Sequence, residues 1–244
     1  MKRHGLTITG AVAAVTLVMT AILGIVITPP DVTQKEYARF LYLHPPMAWV
    51  AYLAFGVAAL SSILYLWPRT RRPFFDHLAL AAVESGVLFT GLVLVTGSMW
   101  AEPVWGTYWV WDARLTATAL MFVMFLGYLA LRRMGGTSEQ IARRAAIVAL
   151  ISSINVPLVH FSVLWWNTLH QGPSVLTPGL SSQGVHGAMA WTMLLSFVAF
   201  TCLFVWMVGR RIRLEQLRSG VGNTELNDAI AARLAEGDVV GVSA

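Results

Sequence analysis

The sequence predicts an all-α, polytopic integral membrane protein with six transmembrane helices and short interfacial helices on its outer face. Of its 244 residues, 57% are hydrophobic and 12% are charged, whereas an average soluble domain carries about 25% charged residues. The chain also contains six apolar runs close to the ~20 residues that a helix needs to cross a hydrocarbon core. This composition excludes an ordinary water-soluble domain and any activity that needs a large soluble catalytic domain.

Each predicted span ends at charged residues or at a cluster of proline and glycine. The six runs cover residues 5–27, 47–67, 78–100, 115–131, 145–164 and 188–208. The first run is too long for a cleaved signal peptide and lacks an A-x-A-like site, which predicts a retained span. We therefore expect a six-helix membrane domain over residues 1–208 and a cytoplasmic C-terminal tail over residues 209–244.

The basic residues predict the orientation of the spans. Of the 17 Lys and Arg residues, all except Lys35, Arg39 and Arg114 fall on the side of the N-terminus and the tail. Short cytoplasmic loops carry such an excess, so both termini are expected in the cytoplasm. The net charge of +5 therefore indicates orientation in a membrane and not a nucleic-acid partner.

Tryptophan and histidine gather on the opposite, outer side of the predicted bundle. This side receives eight of the ten tryptophans and four of the six histidines, namely Trp49, Trp100, Trp105, Trp109, Trp111, Trp165, Trp166 and Trp191 with His44, His160, His170 and His186. An aromatic belt that only anchors helices is more even between the two interfaces. The distribution predicts that any chemistry faces outward.

The first outer loop carries E-Y-A-R-F-L-Y-L-H-P-P at residues 36–46. Helical spacing predicts one face formed by Tyr37, Phe40, Leu41 and His44. Because the residue before a proline is pushed out of the α region, Pro45 and Pro46 are expected to end this short helix and to hold His44 at its C-terminus. The alternative is an interfacial histidine bonded to a backbone carbonyl.

The second outer loop carries W-G-T-Y-W-V-W-D-A-R-L-T at residues 105–116. Its aromatic rings predict a flat apolar platform that stacks on a planar ligand, formed by Trp105, Trp109 and Trp111. Asp112 is predicted to cap the fourth span. Arg114 is expected to offer a bidentate fork to a carboxylate. The alternative is an interfacial helix that its tryptophans hold at the level of the lipid headgroups.

The third outer loop begins H-F-S-V-L-W-W-N-T-L-H-Q-G at residues 160–172 and carries no charged residue. His170 is followed by Gln171-Gly172-Pro173 and is expected to end a short ordered piece at a turn. His160 lies near the end of the fifth span, where a satisfied core histidine is the alternative to a ligand. His186 lies beside glycine and is expected to be a loosely held loop residue.

Two histidines from separate loops, with a tryptophan platform between them in sequence, match the needs of a bis-imidazole haem site. Haem brings an apolar macrocycle, an iron that takes a neutral imidazole on each face and two propionates that need Arg or Lys. His44 and His170, each expected at a turn, are candidate ligands, and the outer cations available to anchor the propionates are Arg39 and Arg114, besides Lys35. Zinc is less suitable, because no acid or cysteine stands at ligand spacing from these histidines. The only cysteine, Cys202, excludes attachment through C-x-x-C-H, so a non-covalent, b-type haem is expected.

Two features inside the spans also carry predictions. Glu84 is the one acid of the third span, and although charged groups at depth are often functional, we expect it to be neutral or paired near the cytoplasmic side. Asn155-Val156-Pro157 in the fifth span predicts a kink, because proline removes a backbone donor.

Together these strings resemble the CcmC family, the small six-span members of the tryptophan-rich haem-handling proteins of cytochrome c maturation. The resemblance covers nearly all of residues 30–208 and includes V-T-G-S-M-W at residues 95–100. It implies a bacterial inner-membrane protein that binds haem between His44 and His170 at the periplasmic face. It further implies delivery of the haem to the periplasmic chaperone CcmE, together with the ABC-type subunits CcmA and CcmB and the small membrane protein CcmD.

The resemblance implies a haem carrier with no turnover chemistry of its own. The alternative is a b-type haem subunit of a quinone-linked oxidoreductase, which needs a second histidine pair deep in the spans, where only His160 is available. The permease subunit of a transporter is less suitable, because the inner loops are short and basic. The sequence lacks a G-x-x-x-x-G-K-[ST] loop, so any ATP use is expected in another chain.

Overall fold

The computed structural model describes residues 3–170 and 187–241, with side chains for residues 4–170 and 187–218. Its main elements are α1 (Arg3–Ile22), α2 (His44–Leu66), α3 (Pro73–Trp105), α4 (Ala113–Leu131), α5 (Ser138–Ser153), α6 (Asn155–Trp165) and α7 (Gly187–Gly241). A π-helical turn, Leu23–Ile27, extends α1, and a 3₁₀ helix, Glu36–Tyr42, precedes α2.

Six stretches of these helices are long and apolar enough to cross a membrane, which confirms the predicted all-α, polytopic fold. They are His4–Ile27, Glu36–Leu66, Pro73–Trp105, Ala113–Leu131, Ser138–Trp165 and Gly187–Arg218. Each predicted run lies within one of them to within a residue. Four of the six are much longer than the predicted run, because helical ends that carry polar residues continue beyond the apolar segment.

The last helix is continuous across the predicted domain boundary at residue 208. It runs as one element from Gly187 to Gly241, and its apolar part extends to Arg218. The first part of the tail therefore continues the sixth span as a helix. The division into a membrane domain and a cytoplasmic tail stays a prediction.

Pro45 and Pro46 begin α2, and this corrects the expected position of His44. The 3₁₀ helix ends at Tyr42, and His44 is the first residue of α2. Proline is tolerated in the first turn of a helix, because an N–H there has no intrahelical partner. The expected corner is present, but His44 lies at the N-terminus of α2 and not at the C-terminus of the short helix.

The fifth span is interrupted at Ile154, next to the segment for which the sequence predicts a kink. Helix α5 ends at Ser153 and α6 begins at Asn155. Pro157 has no N–H with which to bond the preceding turn. The buried side-chain amide of Asn155 donates to the carbonyl oxygen of Ala117 on α4 at 2.7 Å. This bond ties the interrupted region to α4.

The core lies where α2, α3 and α4 meet. Phe55 of α2 stacks on Phe125 of α4 with ring centroids 3.7 Å apart, and both side chains are fully buried. Gly86 of α3 faces this stack, and a Cβ built there would lie 2.5 Å from Cε1 of Phe55. The glycine therefore allows α3 to approach the two rings. Helix α1 packs mainly on α7, and α6 packs mainly on α4.

Bidentate ion pairs join helices near the end that holds the α2–α3 and α4–α5 connections. Arg132 donates to both oxygens of Asp76 at 2.5 and 2.8 Å. Arg211 of α7 donates from Nε and Nη2 to both oxygens of Glu84, at 2.5 and 3.0 Å. The expectation that Glu84 is paired is thus confirmed, and its partner joins α3 to α7.

The close approach at Gly86 generates a stability prediction. Gly86→Ala should lower the free energy of unfolding by about 1–3 kcal/mol, because the new methyl group forces Phe55 out of its stack. Gly127→Ala is the matched control, since nothing in the described structure lies within 4 Å of its Cβ position. Thermal unfolding in detergent measures both variants, and equal loss in the two would contradict the packing role of Gly86.

Candidate functional site

A cavity opens at the end of the bundle where α2 and α4 begin and α3 ends. It encloses about 690 Å³ of empty space, its open mouth included. Its apolar walls come mostly from α2, α3 and α4. The ionisable and aromatic side chains of the lining are those of His44, Tyr52, Trp105, Trp109, Arg114 and His170. Five of these six are predicted site residues, and they come from three separate parts of the chain.

His44 reaches the cavity from the first turn of α2, with its Nδ1 atom 3.1 Å from Oγ1 of Thr96 on α3. The single proton of the Thr96 hydroxyl is donated to the carbonyl oxygen of Leu92 at 2.7 Å. Toward the histidine the hydroxyl can therefore only accept. This arrangement favours the tautomer with the proton on Nδ1 of His44 and a free electron pair on Nε2.

His170 is oriented by a carboxylate. Its Nδ1 atom lies 3.2 Å from Oδ2 of Asp112, and its ring meets the Trp105 ring edge-on at a centroid distance of 4.9 Å. Burial lowers the pKa of His170 below its usual range, although the contact with Asp112 raises it. The neutral ring donates its Nδ1 proton to the carboxylate, and Nε2 is again the free nitrogen.

The two carboxylate oxygens of Asp112 contact different partners. Oδ1 accepts the backbone N–H of Leu115 at 2.8 Å, which confirms the predicted cap of α4. Oδ2 faces His170, a residue 58 positions further along the chain. The start of α4 and the orientation of the loop histidine therefore depend on the same side chain.

Two buried donors on the cavity wall have no hydrogen-bond partner among the described residues. They are Nε of Arg114 and Nε1 of Trp109. Arg114 is held in place by its Nη2 atom, which donates to the carbonyl oxygen of His160 at 3.1 Å. A buried donor without an acceptor costs about 1–3 kcal/mol. Both atoms have almost no accessible surface, so a ligand could bond to either only after the atoms that cover it shift.

Three predicted site residues lie outside the cavity lining, namely Asp112, Trp111 and Arg39. Trp111 is 82% exposed and packs edge-on against Trp109 at a centroid distance of 5.5 Å. Arg39 forms an ion pair with Glu36 and donates to the carbonyl oxygen of Gly24. Its role as a propionate anchor stays a prediction, and it would require exchange of the Glu36 carboxylate for a propionate.

The other outer histidines do not enter the site in the described part of the chain. The side chain of His160 is exposed and meets the ring of Tyr52 edge-on at 6.0 Å. It is therefore not a core histidine, and only its backbone carbonyl acts on the site, through Arg114. His186 and the expected turn at Gln171-Gly172-Pro173 lie outside the described residues.

Sequence reasoning missed two residues that hold His44, namely Thr96 and Gly97. Thr96 accepts the Nδ1 proton, and a Cβ built on Gly97 would lie 2.9 Å from Cε1 of the His44 ring. Both belong to the V-T-G-S-M-W string, which contributed to the family resemblance. No periodicity or spacing rule assigns them a role, because their partner lies on another helix.

The fold and the cavity together define a polytopic membrane protein that presents two imidazoles, an arginine and aromatic walls at one end of a helical bundle. Such a site suits a large, planar ligand that carries a metal and acidic groups.

Comparison with known proteins identifies the family. The family model described as Heme exporter protein C matches residues 1–227. Heme exporter protein C of Bradyrhizobium diazoefficiens is 39% identical over 220 residues, which are 90% of this chain and 82% of the relative. A putative cytochrome c biosynthesis ccmC-like mitochondrial protein of Marchantia polymorpha is 40% identical over 200 residues, 81% and 83% of the two chains. Heme exporter protein C of Haemophilus influenzae is 36% identical over 195 residues, 80% and 78% of the two chains. The chain therefore belongs to the CcmC family.

Proposed function

We propose that the chain carries haem for cytochrome c maturation and holds it through Nε2 of His44 and Nε2 of His170. The observation that supports this proposal is that both histidines line one cavity and that each has its Nδ1 atom engaged by a second residue. Haem iron takes neutral imidazole nitrogen from both faces. An acceptor on the other nitrogen fixes the tautomer and the orientation of the ring. Haem is here the cargo, b-type and non-covalently bound.

The walls of the cavity suit the remainder of the haem molecule. Trp105 and Trp109 offer aromatic contact to the macrocycle. Arg114, which lines the cavity and whose Nε atom has no partner among the described residues, is the proposed anchor for a propionate. In this proposal Trp111 extends the aromatic surface at the exposed rim, and Arg39 is a second anchor that becomes available on release of Glu36.

We infer a carrier and not an enzyme, because the ligands, anchors and aromatic walls meet at one open end of the bundle. A quinone-linked haem subunit needs a second histidine pair within the spans. Among the described residues, the remaining histidines are His4 and His77, near the starts of α1 and α3, and His160, which is exposed on α6. The structure therefore favours the carrier over the oxidoreductase.

We further propose that the cavity faces the periplasm of a bacterial inner membrane and that both termini lie in the cytoplasm. Basic residues gather at the opposite end of the bundle, as the charge rule for cytoplasmic loops requires. The proposed partners are CcmE, which receives the haem, and the membrane subunits CcmA, CcmB and CcmD, which supply any ATP use. The docking face for CcmE is the exposed aromatic rim of Tyr108, Trp111, Trp165 and Trp166.

Orientation is tested by cysteine labelling in a Cys202→Ala background. Tyr108→Cys, near the cavity, should react with a membrane-impermeant thiol reagent in intact cells. Gly135→Cys, in the turn between α4 and α5, should react only after the membrane is permeabilised. Both positions are exposed in the structure, so accessibility within the protein does not limit either reaction. The opposite pattern would place the cavity in the cytoplasm.

Loss of either axial histidine tests the proposed function itself. His44→Ala and His170→Ala should each lower the haem that copurifies with the full chain, because each removes one iron–nitrogen bond. His160→Ala is the matched control, since its ring is exposed and its backbone carbonyl is retained. Haem content and the visible spectrum provide the readout, and added imidazole should restore part of the signal in the two ligand variants. If both variants kept the spectrum of the parent protein, haem would have to bind at another site.

The propionate contacts are tested with an esterified ligand. The parent protein should bind haem more tightly than its dimethyl ester by about 1.5–3 kcal/mol, the value of a hydrogen bond to a charged group. Arg114→Gln should reduce this difference, because it replaces the charged guanidinium with a shorter, neutral amide. Fluorescence quenching of the cavity tryptophans measures both affinities. Equal binding of haem and ester by the parent protein would exclude anchoring by Arg114.

A further inference from the structure

The two cavity histidines differ in the acceptor that their Nδ1 atoms meet. His170 faces the carboxylate of Asp112 at 3.2 Å, whereas His44 faces the hydroxyl of Thr96 at 3.1 Å. The distances are similar, and the difference lies in the charge of the acceptor. One ring therefore donates to an anion and the other to a neutral group.

The Thr96 contact cannot reverse its direction without breaking a second bond. Its hydroxyl proton is directed to the carbonyl oxygen of Leu92, four residues earlier on α3, at 2.7 Å. Since a hydroxyl has one proton, the oxygen faces His44 as an acceptor while the bond to Leu92 is kept. Because the hydroxyl oxygen carries no net charge, it attracts the Nδ1 proton less strongly than a carboxylate does.

The carboxylate has a larger effect on its histidine. A hydrogen bond from imidazole to a carboxylate is charge-assisted and is stronger than one to a neutral hydroxyl. It shifts electron density toward the free nitrogen and raises the basicity of the ligand. Nε2 of His170 is therefore expected to be the stronger donor to iron, and Nε2 of His44 the weaker one.

Helix α3 also holds the His44 ring in place while this weaker bond is formed or broken. Gly97 lies against one edge of the ring, where a Cβ would be 2.9 Å from Cε1. Trp100 contacts the ring edge-on at a centroid distance of 5.9 Å and is itself fixed by Nε1, which donates to Gln34 at 2.9 Å. Within the V-T-G-S-M-W string, Thr96 thus contacts Nδ1 of His44, Gly97 leaves space for the ring, and Trp100 packs against it.

We propose that His44 is the axial ligand that leaves the iron first when haem is released, and that Thr96 is the positioning residue that determines this order. The inference rests on the proposed haem site. In the exchange, the bond between iron and Nε2 of His44 breaks and its electron pair stays on the nitrogen. An incoming nitrogen donor supplies a new pair, so the oxidation state of the iron does not change. Haem remains on His170 until the second bond breaks.

The order of release is tested with one ligand removed at a time. The haem-loaded full chain is mixed with excess apomyoglobin, and the rate of haem loss is measured by absorbance. His170→Gly should lose haem about tenfold faster than His44→Gly, in keeping with the effect of outer hydrogen-bond partners on metal sites. Equal rates, or faster loss from His44→Gly, would overturn the proposed order.

The origin of the difference is tested with Asp112→Asn in the His44→Gly background. Asparagine caps helices as well as aspartate, so the start of α4 is retained. If its oxygen stays on Leu115, its NH₂ group faces Nδ1 of His170, and a donor then replaces the anionic acceptor. The double variant should lose haem about as fast as His170→Gly. A rate unchanged from that of His44→Gly would show that the carboxylate does not strengthen this ligand.

The role of Thr96 is tested by ligand exchange in the otherwise unchanged protein. Thr96→Val keeps the shape of the side chain but removes the acceptor, and replacement of His44 by added imidazole should become about tenfold faster. Thr96→Ser keeps the hydroxyl and should exchange at the parent rate. Ser85→Ala is the control, because it deletes another hydroxyl that donates to a carbonyl of α3, at 3.0 Å, outside the cavity lining. Unchanged exchange in Thr96→Val would overturn the positioning role.

Failure of this inference is distinguishable from failure of the proposed function. If the parent protein forms no low-spin haem complex, the proposed function is wrong and the ligand order is wrong with it. If the complex forms but His170→Gly retains haem at least as well as His44→Gly, only the ligand order is wrong.

Discussion

The carboxylate of Asp112 has one oxygen on the first turn of α4 and the other on His170, and the candidate site depends on this double contact. His170 follows α6 in a segment without a regular element, so the helix itself does not orient its ring. Helix α4 can begin only where an acceptor meets its free N–H groups. Asp112 therefore caps α4, as the fold requires, and orients His170, as the site requires. His44 needs no such device, because the first turn of a rigid helix carries it and α3 confines its ring.

The membrane explains why the site lies at the end of the bundle. Within hydrocarbon, backbone groups must bond to one another, so the spans are helical apart from the break at Ile154, and the longer irregular segments lie at their ends. The connections that bring His44, Arg114 and His170 together all lie at the same end, where α2 and α4 begin and α3 ends. The ion pairs of Asp76 and Glu84 join helices away from the cavity lining. The bundle thus separates a charged region that fixes helix packing from an aromatic region that is open to a ligand.

The sequence was sufficient for features whose causes are local. Apolar runs predicted the six spans, a proline predicted a kink next to the break at Ile154, and Asp112 was expected at the start of α4. Features that depend on packing between distant segments were not predictable in this way. The contact between Asp112 and His170 spans 58 positions, and the contact between His44 and Thr96 spans 52. Likewise, the loop pattern grouped Trp111 with the other tryptophans, although its ring is on the exposed side, and it could not show that Glu36 and Gly24 engage Arg39.

The central claim is that His44 and His170 hold one haem between them through neutral imidazole nitrogens. The electron paramagnetic resonance spectrum of the purified, ferric, haem-loaded chain in lipid nanodiscs tests it most directly. The account predicts a low-spin signal typical of two imidazole ligands, with nitrogen couplings that change when histidine is labelled with ¹⁵N. A high-spin spectrum, or a low-spin spectrum whose couplings do not change with labelled histidine, would contradict it.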